Sequence, residues 1–182
     1  MELVTDDYNC CFRLTGKTKE VINLGSYNYL GFAQNNCMRI ESDERAINEY
    51  GIGVASTQNE FGTTVMHREL ENQMSHFLGV EDCIVFGMGF ATNSTNLPTL
   101  VGKGCLILSD EFNHASLILG SRLSRATIKI FKHNVMKDLG RKLRVAVVKG
   151  EPRTHRLWKT ILIVVEDIYS MEGTVVELPT II

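Results

Sequence analysis

A chain of 182 residues with 44% apolar content can bury a hydrophobic core of its own, and its length suits one domain or slightly more. Nineteen basic against twenty-one acidic residues leave a formal charge of -2, too even a balance for a field that attracts nucleic acid, so no nucleic-acid partner is expected. Five cysteines without a C-x-x-C pair make neither a disulfide framework nor a zinc site and read as reduced, intracellular thiols.

Residues 1–20 are polar and irregular, with a short antiparallel pair expected between residues 11–14 and 20–24 through Gly16. Residues 25–32, Gly-Ser-Tyr-Asn-Tyr-Leu-Gly-Phe, are too aromatic for a solvent linker and read as a loop that packs against something. A helix over 39–50 is stopped by Gly51 and Gly53. Residues 1–50 therefore read as a lead-in segment with a helix, and 51–182 as one partial α/β domain. Residues 51–64, rich in Gly, Ser, Thr and Asn, form a long loop of a kind that is often functional. Thr64 caps a helix running to about Phe77, with Met66, Leu70, Met74, Phe77 and Leu78 on one face and Gly79 ending it. His67 and His76 read as capping or exposed helix residues rather than ligands.

Residues 83–94, Cys-Ile-Val-Phe-Gly-Met-Gly-Phe-Ala-Thr-Asn-Ser, organise the rest of the chain and read as strand, tight turn and helix. An anion suits that turn. Gly87 and Gly89 let the backbone approach, the first helical turn has unpaired N–H groups, and Thr92 and Ser94 add hydroxyls. The same grammar then repeats. A buried strand at Leu106, Ile107 and Leu108 ends in Ser109-Asp110-Glu111, and a helix covers 114–123. A strand over 127–131 ends at Lys132-His133-Asn134. A helix over 136–147 comes next, weakened at Gly140 by about 1 kcal/mol relative to Ala. The most apolar strand, 160–165, ends in Glu166-Asp167, and the basic run 149–159 around Pro152 reads as a solvated loop.

Continuous apolar strands alternating with helices predict an α/β fold, a mostly parallel sheet covered on both faces. Ligands of such sheets bind at the carboxyl ends of the strands, so Phe86, Asp110, His133 and Glu166 are expected on one edge, with Gly89 near His114. Phosphate donors, a flat imidazole and a hydroxyl converging there suit a planar, phosphorylated ligand. Gly87-x-Gly89 followed by Asp110 about twenty residues on is a partial dinucleotide fingerprint. Its third glycine position is Thr92, and some eighty residues precede a motif that usually opens its domain. No apolar run reaches the roughly eighteen residues that a bilayer span requires, so no transmembrane segment is expected in this chain.

Six ordered motifs carry a resemblance to a known family. They are Asn28-Tyr29-Leu30-Gly31, Gly62-Thr63 with His67-x-x-Leu70-Glu71, Gly89-Phe90-Ala91-Thr92-Asn93, Asn113-His114-Ala115-Ser116, Phe131-Lys132-His133-Asn134 and Tyr169-Ser170-Met171-Glu172-Gly173. In this order they resemble the α-oxoamine synthases, fold-type I pyridoxal 5'-phosphate enzymes that condense an amino acid with an acyl-CoA and release carbon dioxide. Residues 25–32, residues 102–111 and the Pro152-Arg153-Thr154 loop before Trp158 are most similar to the eukaryotic serine palmitoyltransferase subunit that bears the cofactor lysine. The resemblance covers nearly all of this chain.

The resemblance implies pyridoxal 5'-phosphate as cofactor in a partial large domain incomplete at its C-terminus. It also implies formation of 3-ketosphinganine from L-serine and palmitoyl-CoA, a family-type dimer partner, and the cytosolic face of the endoplasmic reticulum membrane. By resemblance, the backbone of Gly89 and Phe90 contacts the cofactor phosphate. His114 stacks on the pyridine ring and meets the substrate carboxylate, Ser170 approaches the phenolic oxygen, and Asn28 contacts the substrate of the partner subunit. Gln58, Val135 and Asp167 depart from the family pattern, which has arginine, asparagine or aspartate, and glycine there. The family's Asp-Glu-Ala-His segment and its Schiff-base lysine are expected beyond Ile182, so the chain alone is expected to lack catalytic residues and activity. The alternative is a non-catalytic variant acting as an assembly or interference partner of a full-length subunit.

Overall fold

The computed structural model describes residues 3–5, 12–20, 22, 25, 27, 28, 30, 32 and 37–182, and the chain divides into two compact units, Met1–Thr63 and Thr64–Ile182. In the first, β1 (Leu3–Thr5) pairs antiparallel with β2 (Phe12–Leu14), Leu3 opposite Leu14. The strand expected at 20–24 is not the partner of β2. At Gly16, φ 79°, the chain turns locally, with the Lys17 N–H donating to Thr15 Oγ1 at 3.2 Å, and Lys17 to Glu20 continue as exposed coil. Residues 11, 21, 23 and 24 of that expected pair lie outside the described residues, as do Cys10 and, in the aromatic loop, Ser26, Tyr29 and Gly31. Helix α1 (Cys37–Tyr50) ends at Gly51, φ 81°. The loop after it tightens into one π-helical turn, Gln58–Gly62. A side chain at Gly62 would place Cβ 2.3 Å from the Ser56 carbonyl oxygen, so only glycine fits.

The second unit opens with α2 (Val65–Leu78), which starts after Thr64 and ends at Gly79 in the left-handed conformation. His67 is a capping residue: the Thr64 N–H donates to its Nδ1 at 3.2 Å. Residues 83–86 are not the strand that their apolar run suggests. A strand exists through its ladder, and this segment pairs with none of the described strands. The Val85 N–H donates to Glu71 Oε1 of α2 at 3.2 Å instead, and Ile84 is 72% exposed.

From there the order is α3 (Gly89–Leu100), β3 (Leu106–Asp110), α4 (Ala115–Leu123), β4 (Thr127–Phe131), α5 (Met136–Lys149), β5 (Ile161–Val164), β6 (Ile168–Tyr169), β7 (Thr174–Val175) and α6 (Leu178–Ile181). The sheet order is β4-β3-β5, both pairings parallel, with Leu106 opposite Thr127 and Ile161. Central β3 is buried along its whole length. Strand alternation sends Leu106 and Leu108 to one core with Phe131, Leu139 and Ala146 under α5, and Ile107 to another with Leu97, Val101 and Val164 under α3. Helices thus cover both faces.

β4 lies on one side of β3 and β5 on the other, so the chain reverses direction across the sheet at β3. In open α/β sheets that reversal opens a crevice beyond the carboxyl ends of the two diverging strands. Here it lies past Asp110 and Val164. Glycine again sets a close approach above it: a Cβ on Gly120 of α4 would lie 2.7 Å from the Asn93 carbonyl oxygen of α3.

Candidate functional site

Asn113 ties the two sides of the crevice together, its Nδ2 donating to the Val164 carbonyl at 2.8 Å and to Ser109 Oγ at 2.9 Å. Its Oδ1 is buried without a hydrogen-bond partner. The next residue, His114, is the N-cap of α4, and its backbone N–H donates to Glu166 Oε1 from the end of β5. Its ring is fixed by a relay: Asn93 Nδ2 donates to Ser116 Oγ at 3.0 Å, and Ser116 Oγ lies 2.8 Å from His114 Nδ1. The Ser116 N–H also donates to that nitrogen at 3.2 Å. With Nδ1 accepting, a neutral ring carries its proton on Nε2.

Phe90, in the first turn of α3, stands edge-on to the His114 ring with centroids 6.1 Å apart. The structure therefore brings Gly89-Phe90 and His114 together, with the ends of β3, β4 and β5 on one edge. A Cβ at Gly87 or Gly89 would meet nothing within 4 Å, so the backbone at the start of α3 is open. The hydroxyls read as extra anion donors are not available there. Thr92 Oγ1 donates to the Met88 carbonyl at 2.8 Å, a common use of a threonine inside a helix, and Ser94 is buried in the helix.

A second polar cluster adjoins the crevice. Buried Asp110 accepts the Phe112 N–H on Oδ1 at 2.9 Å and faces His133 Nδ1 with Oδ2 at 3.0 Å. His133 Nε2 lies 2.9 Å from Thr174 Oγ1, and the His133 N–H donates to Glu111 Oε1 at 2.9 Å. The Tyr169 ring stands edge-on to His133 at 4.4 Å, and its hydroxyl accepts the Glu166 N–H at 3.2 Å. Burial pushes the Tyr169 phenol up to about 12, a rise that the Glu166 N–H opposes and the Asp110 carboxylate reinforces. Tyr169 is therefore neutral at physiological pH.

Ser170 comes directly after Tyr169 at the turn of the β6–β7 hairpin and is exposed; no hydrogen bond or ring contact joins it to His114 or Phe90. Asn28 belongs to the first unit. Sequence reasoning missed Thr174 as a member of the site; Asp110, His133 and Glu166 stood out as strand ends, and Asn113 and Tyr169 stood in the motifs beside His114 and Ser170. Asp167 does not have the positive φ at which its replacement of glycine would strain the backbone, and its carbonyl accepts the Val176 N–H at 3.1 Å. Val135 is the N-cap of α5 and makes no side-chain cap, whereas asparagine or aspartate there would. Gln58 opens the π-helical turn.

Residues 19–181 match the family described as aminotransferase class I and II. The chain belongs to this family. Among curated members, it is 59% identical to serine palmitoyltransferase 3 of Homo sapiens, over all of this chain and 33% of that protein. It is 51% identical to serine palmitoyltransferase 2 of Caenorhabditis elegans, with the same two shares. The chain thus spans about a third of the length of the curated relatives it matches. Among solved structures, a serine palmitoyltransferase from S. paucimobilis with a bound PLP–myriocin aldimine has a TM-score of 0.73 at 30% identity, over 86% of this chain and 37% of that one. The Sphingomonas wittichii serine palmitoyltransferase has a TM-score of 0.74 at 32% identity, over the same shares. The fold is that of part of a fold-type I transferase large domain, and the partial dinucleotide fingerprint has no place in it. Among the described residues no helix is long and apolar enough to cross a membrane.

Proposed function

We propose that this chain supplies residues of the cofactor-binding domain of a serine palmitoyltransferase-like enzyme, which condenses L-serine with palmitoyl-CoA to 3-ketosphinganine. Residues 51–182 would form that partial domain and residues 1–50 its lead-in. The observation that carries the reading is Phe90, at the open start of α3, edge-on to His114 in the crevice between β3 and β5. It gains its substrate class from the 59% identity to a serine palmitoyltransferase.

The residues present fit pyridoxal 5'-phosphate. The first N–H groups of α3 point where an anion is stabilised, the space around Gly87 and Gly89 is clear, and the imidazole of His114 is held beside them. In this reading Gly89 and Phe90 hold the phosphate through their backbone, and Ser170 donates to the phenolic oxygen. When bound, the cofactor supplies an electron sink for the amino acid's α-carbon. The Nε2 proton of His114 is free to meet a substrate carboxylate, because Nδ1 is engaged by Ser116. Asn28 is assigned to contact with the substrate of the partner subunit. The complete enzyme would need a family-type partner subunit and would work at the cytosolic face of the endoplasmic reticulum membrane.

The chain alone should bind pyridoxal phosphate without a covalent bond. A surface lysine keeps a pKa near 10.4 and is a poor amine nucleophile at neutral pH, and Lys142 is engaged by Asp138 at 2.6 Å. Titrating the purified chain with pyridoxal phosphate should show saturable binding that His114→Ala weakens by about tenfold, with no borohydride-fixed lysine adduct and no serine-dependent release of coenzyme A. Absence of binding overturns the cofactor assignment. A stoichiometric adduct with turnover overturns the claim that the chain is inactive alone.

A further inference from the structure

The β6–β7 hairpin has two residues in each strand, too few to hold its own shape in water. Yet it carries Ser170. What fixes it is the turn between β4 and α5. His133 Nε2 meets Thr174 Oγ1 at 2.9 Å, Asn134 Nδ2 donates to the Val175 carbonyl at 2.9 Å, and Asn134 Oδ1 accepts the Glu177 N–H at 3.1 Å. Asn134 grips both with one amide because its φ of 51° lies in the left-handed region, which asparagine tolerates better than most residues. Backbone conformations of this kind persist where the surroundings impose them and collect near functional sites.

His133 is itself immobilised. Its side chain is 9% exposed, and both ring nitrogens are engaged. A carboxylate only accepts, so Nδ1–H donates to Asp110, and in a neutral ring Nε2 accepts from the Thr174 hydroxyl. This is the opposite tautomer to that of His114. From the hairpin the path continues to the cofactor crevice through Tyr169, whose ring rests on His133. Its hydroxyl accepts the Glu166 N–H, and the Glu166 carboxylate accepts the His114 N–H.

We propose that His133, Asn134 and Thr174 are positioning residues, a pin that sets the Ser170 turn and, through Tyr169 and Glu166, the His114 cap. The pin rests on the cofactor reading above for its purpose, but not for its existence. None of the three touches the cofactor in this assignment. Each acts through another residue, and the pin aligns two cofactor contacts that lie 56 positions apart in the chain.

The test compares the wild-type chain with Thr174→Val, Thr174→Ser and Asn134→Gly. Valine keeps the shape of threonine and deletes the hydroxyl, serine keeps the hydroxyl, and glycine keeps the left-handed backbone while deleting the amide grip. Two quantities are read: hydrogen exchange of peptides spanning residues 168–177, and affinity for pyridoxal phosphate by equilibrium dialysis. Thr174→Val and Asn134→Gly should each speed exchange and weaken affinity by about tenfold, with Thr174→Ser within about twofold of wild type in both. Unchanged exchange in both deleting variants overturns the pin. Faster exchange with wild-type affinity overturns its role in positioning. If the wild type binds no pyridoxal phosphate, the cofactor reading falls, and the exchange result alone decides whether the pin exists.

Discussion

At the start of α4 the helix is tied down from several sides, whereas at the start of α3, a ring's width away, the backbone stands open. His114 caps α4 with its own side chain, and its N–H is taken by Glu166. Met88 caps α3 with backbone alone, and no strand of the described sheet leads into it. Rigidity in this site comes from the strand that precedes the helix. α4 comes directly after central β3, so Asn113 and His114 near its start reach the Val164 carbonyl and Glu166 at the end of β5. α3 comes after an extended segment fastened to α2 by Glu71. One half of the proposed cofactor cradle is thus pre-built, and the other takes its place chiefly by leaning on α4.

The contact most sensitive to substitution is at Gly120, where α3 and α4 touch. Gly120→Val puts three carbons into a space where the first already falls 2.7 Å from the Asn93 carbonyl oxygen. Overpacking of this kind costs about 3 kcal/mol at its upper range. Urea denaturation should show that loss, and binding of pyridoxal phosphate should weaken beyond it, because the displaced α3 carries Phe90 away from His114 and Asn93 away from Ser116. A variant with wild-type stability would mean that α3 is not seated on α4 at all.

On the rigid side, the buried phenol of Tyr169 ties stability to alkaline pH. Tyr169 has its pKa raised from 10.0 to about 12 by burial first of all. Above pH 10 the unfolded chain gives up the phenolic proton while the folded chain keeps it. Stability from this group is therefore complete below pH 10 and is lost as the pH climbs towards 12. Tyr169→Phe should flatten that alkaline decline. At neutral pH it should cost about 1 kcal/mol, the ordinary worth of the bond that the Glu166 N–H makes to the hydroxyl. Melting curves at pH 7 and pH 10.5 read both numbers, and an unchanged alkaline slope would show that the phenol is not the titrating group.

How far the sequence could lead divides along the same line. Leu106 to Leu108 and the run before Glu166 were legible as parallel strands because a strand buried on both faces has no polar alternation; Thr127 to Phe131 departs from that pattern, alternating in polarity with Ile130 60% exposed. His114 and the α3 start were legible as neighbours because strand ends in such sheets converge. The run at 83–86 has the same composition as those strands, yet whether a segment joins a ladder depends on which edge is free beside it, and composition does not carry that. The partner of β2 was misread for a related reason, since residues 3–5 and 20–24 both offer it a short apolar strand. Thr174 went unnoticed as a site residue because its importance comes from His133, 41 residues before it. The free hydroxyls expected at Thr92 and Ser94 disappear into their own helix, an outcome that spacing alone does not reveal.

The smallest effect concerns the third corner, where α5 begins between the other two in character. The Val135 carbonyl already accepts the Asp138 and Leu139 N–H groups at 2.9 and 3.2 Å, but its side chain caps nothing. Val135→Asn should let a side-chain oxygen accept an N–H of the first turn and raise stability by up to about 1 kcal/mol, with little burial lost because Val135 is 41% exposed. Asparagine should do better than aspartate here. Asp138, three residues on, is a fixed carboxylate, held well below the usual range by its bond to Lys142 and then by the Lys132 N–H and Arg141. A second carboxylate at 135 would face that charge from one turn away, whereas a neutral amide would not. Thermal melts of the two variants at low salt should rank asparagine above aspartate above valine, and the gap between the two capping residues should narrow as salt is added. If aspartate matches asparagine at low salt, the charge on Asp138 does not reach the cap. If neither exceeds valine, the two bonds at the Val135 carbonyl already provide all the order that the start of α5 can gain.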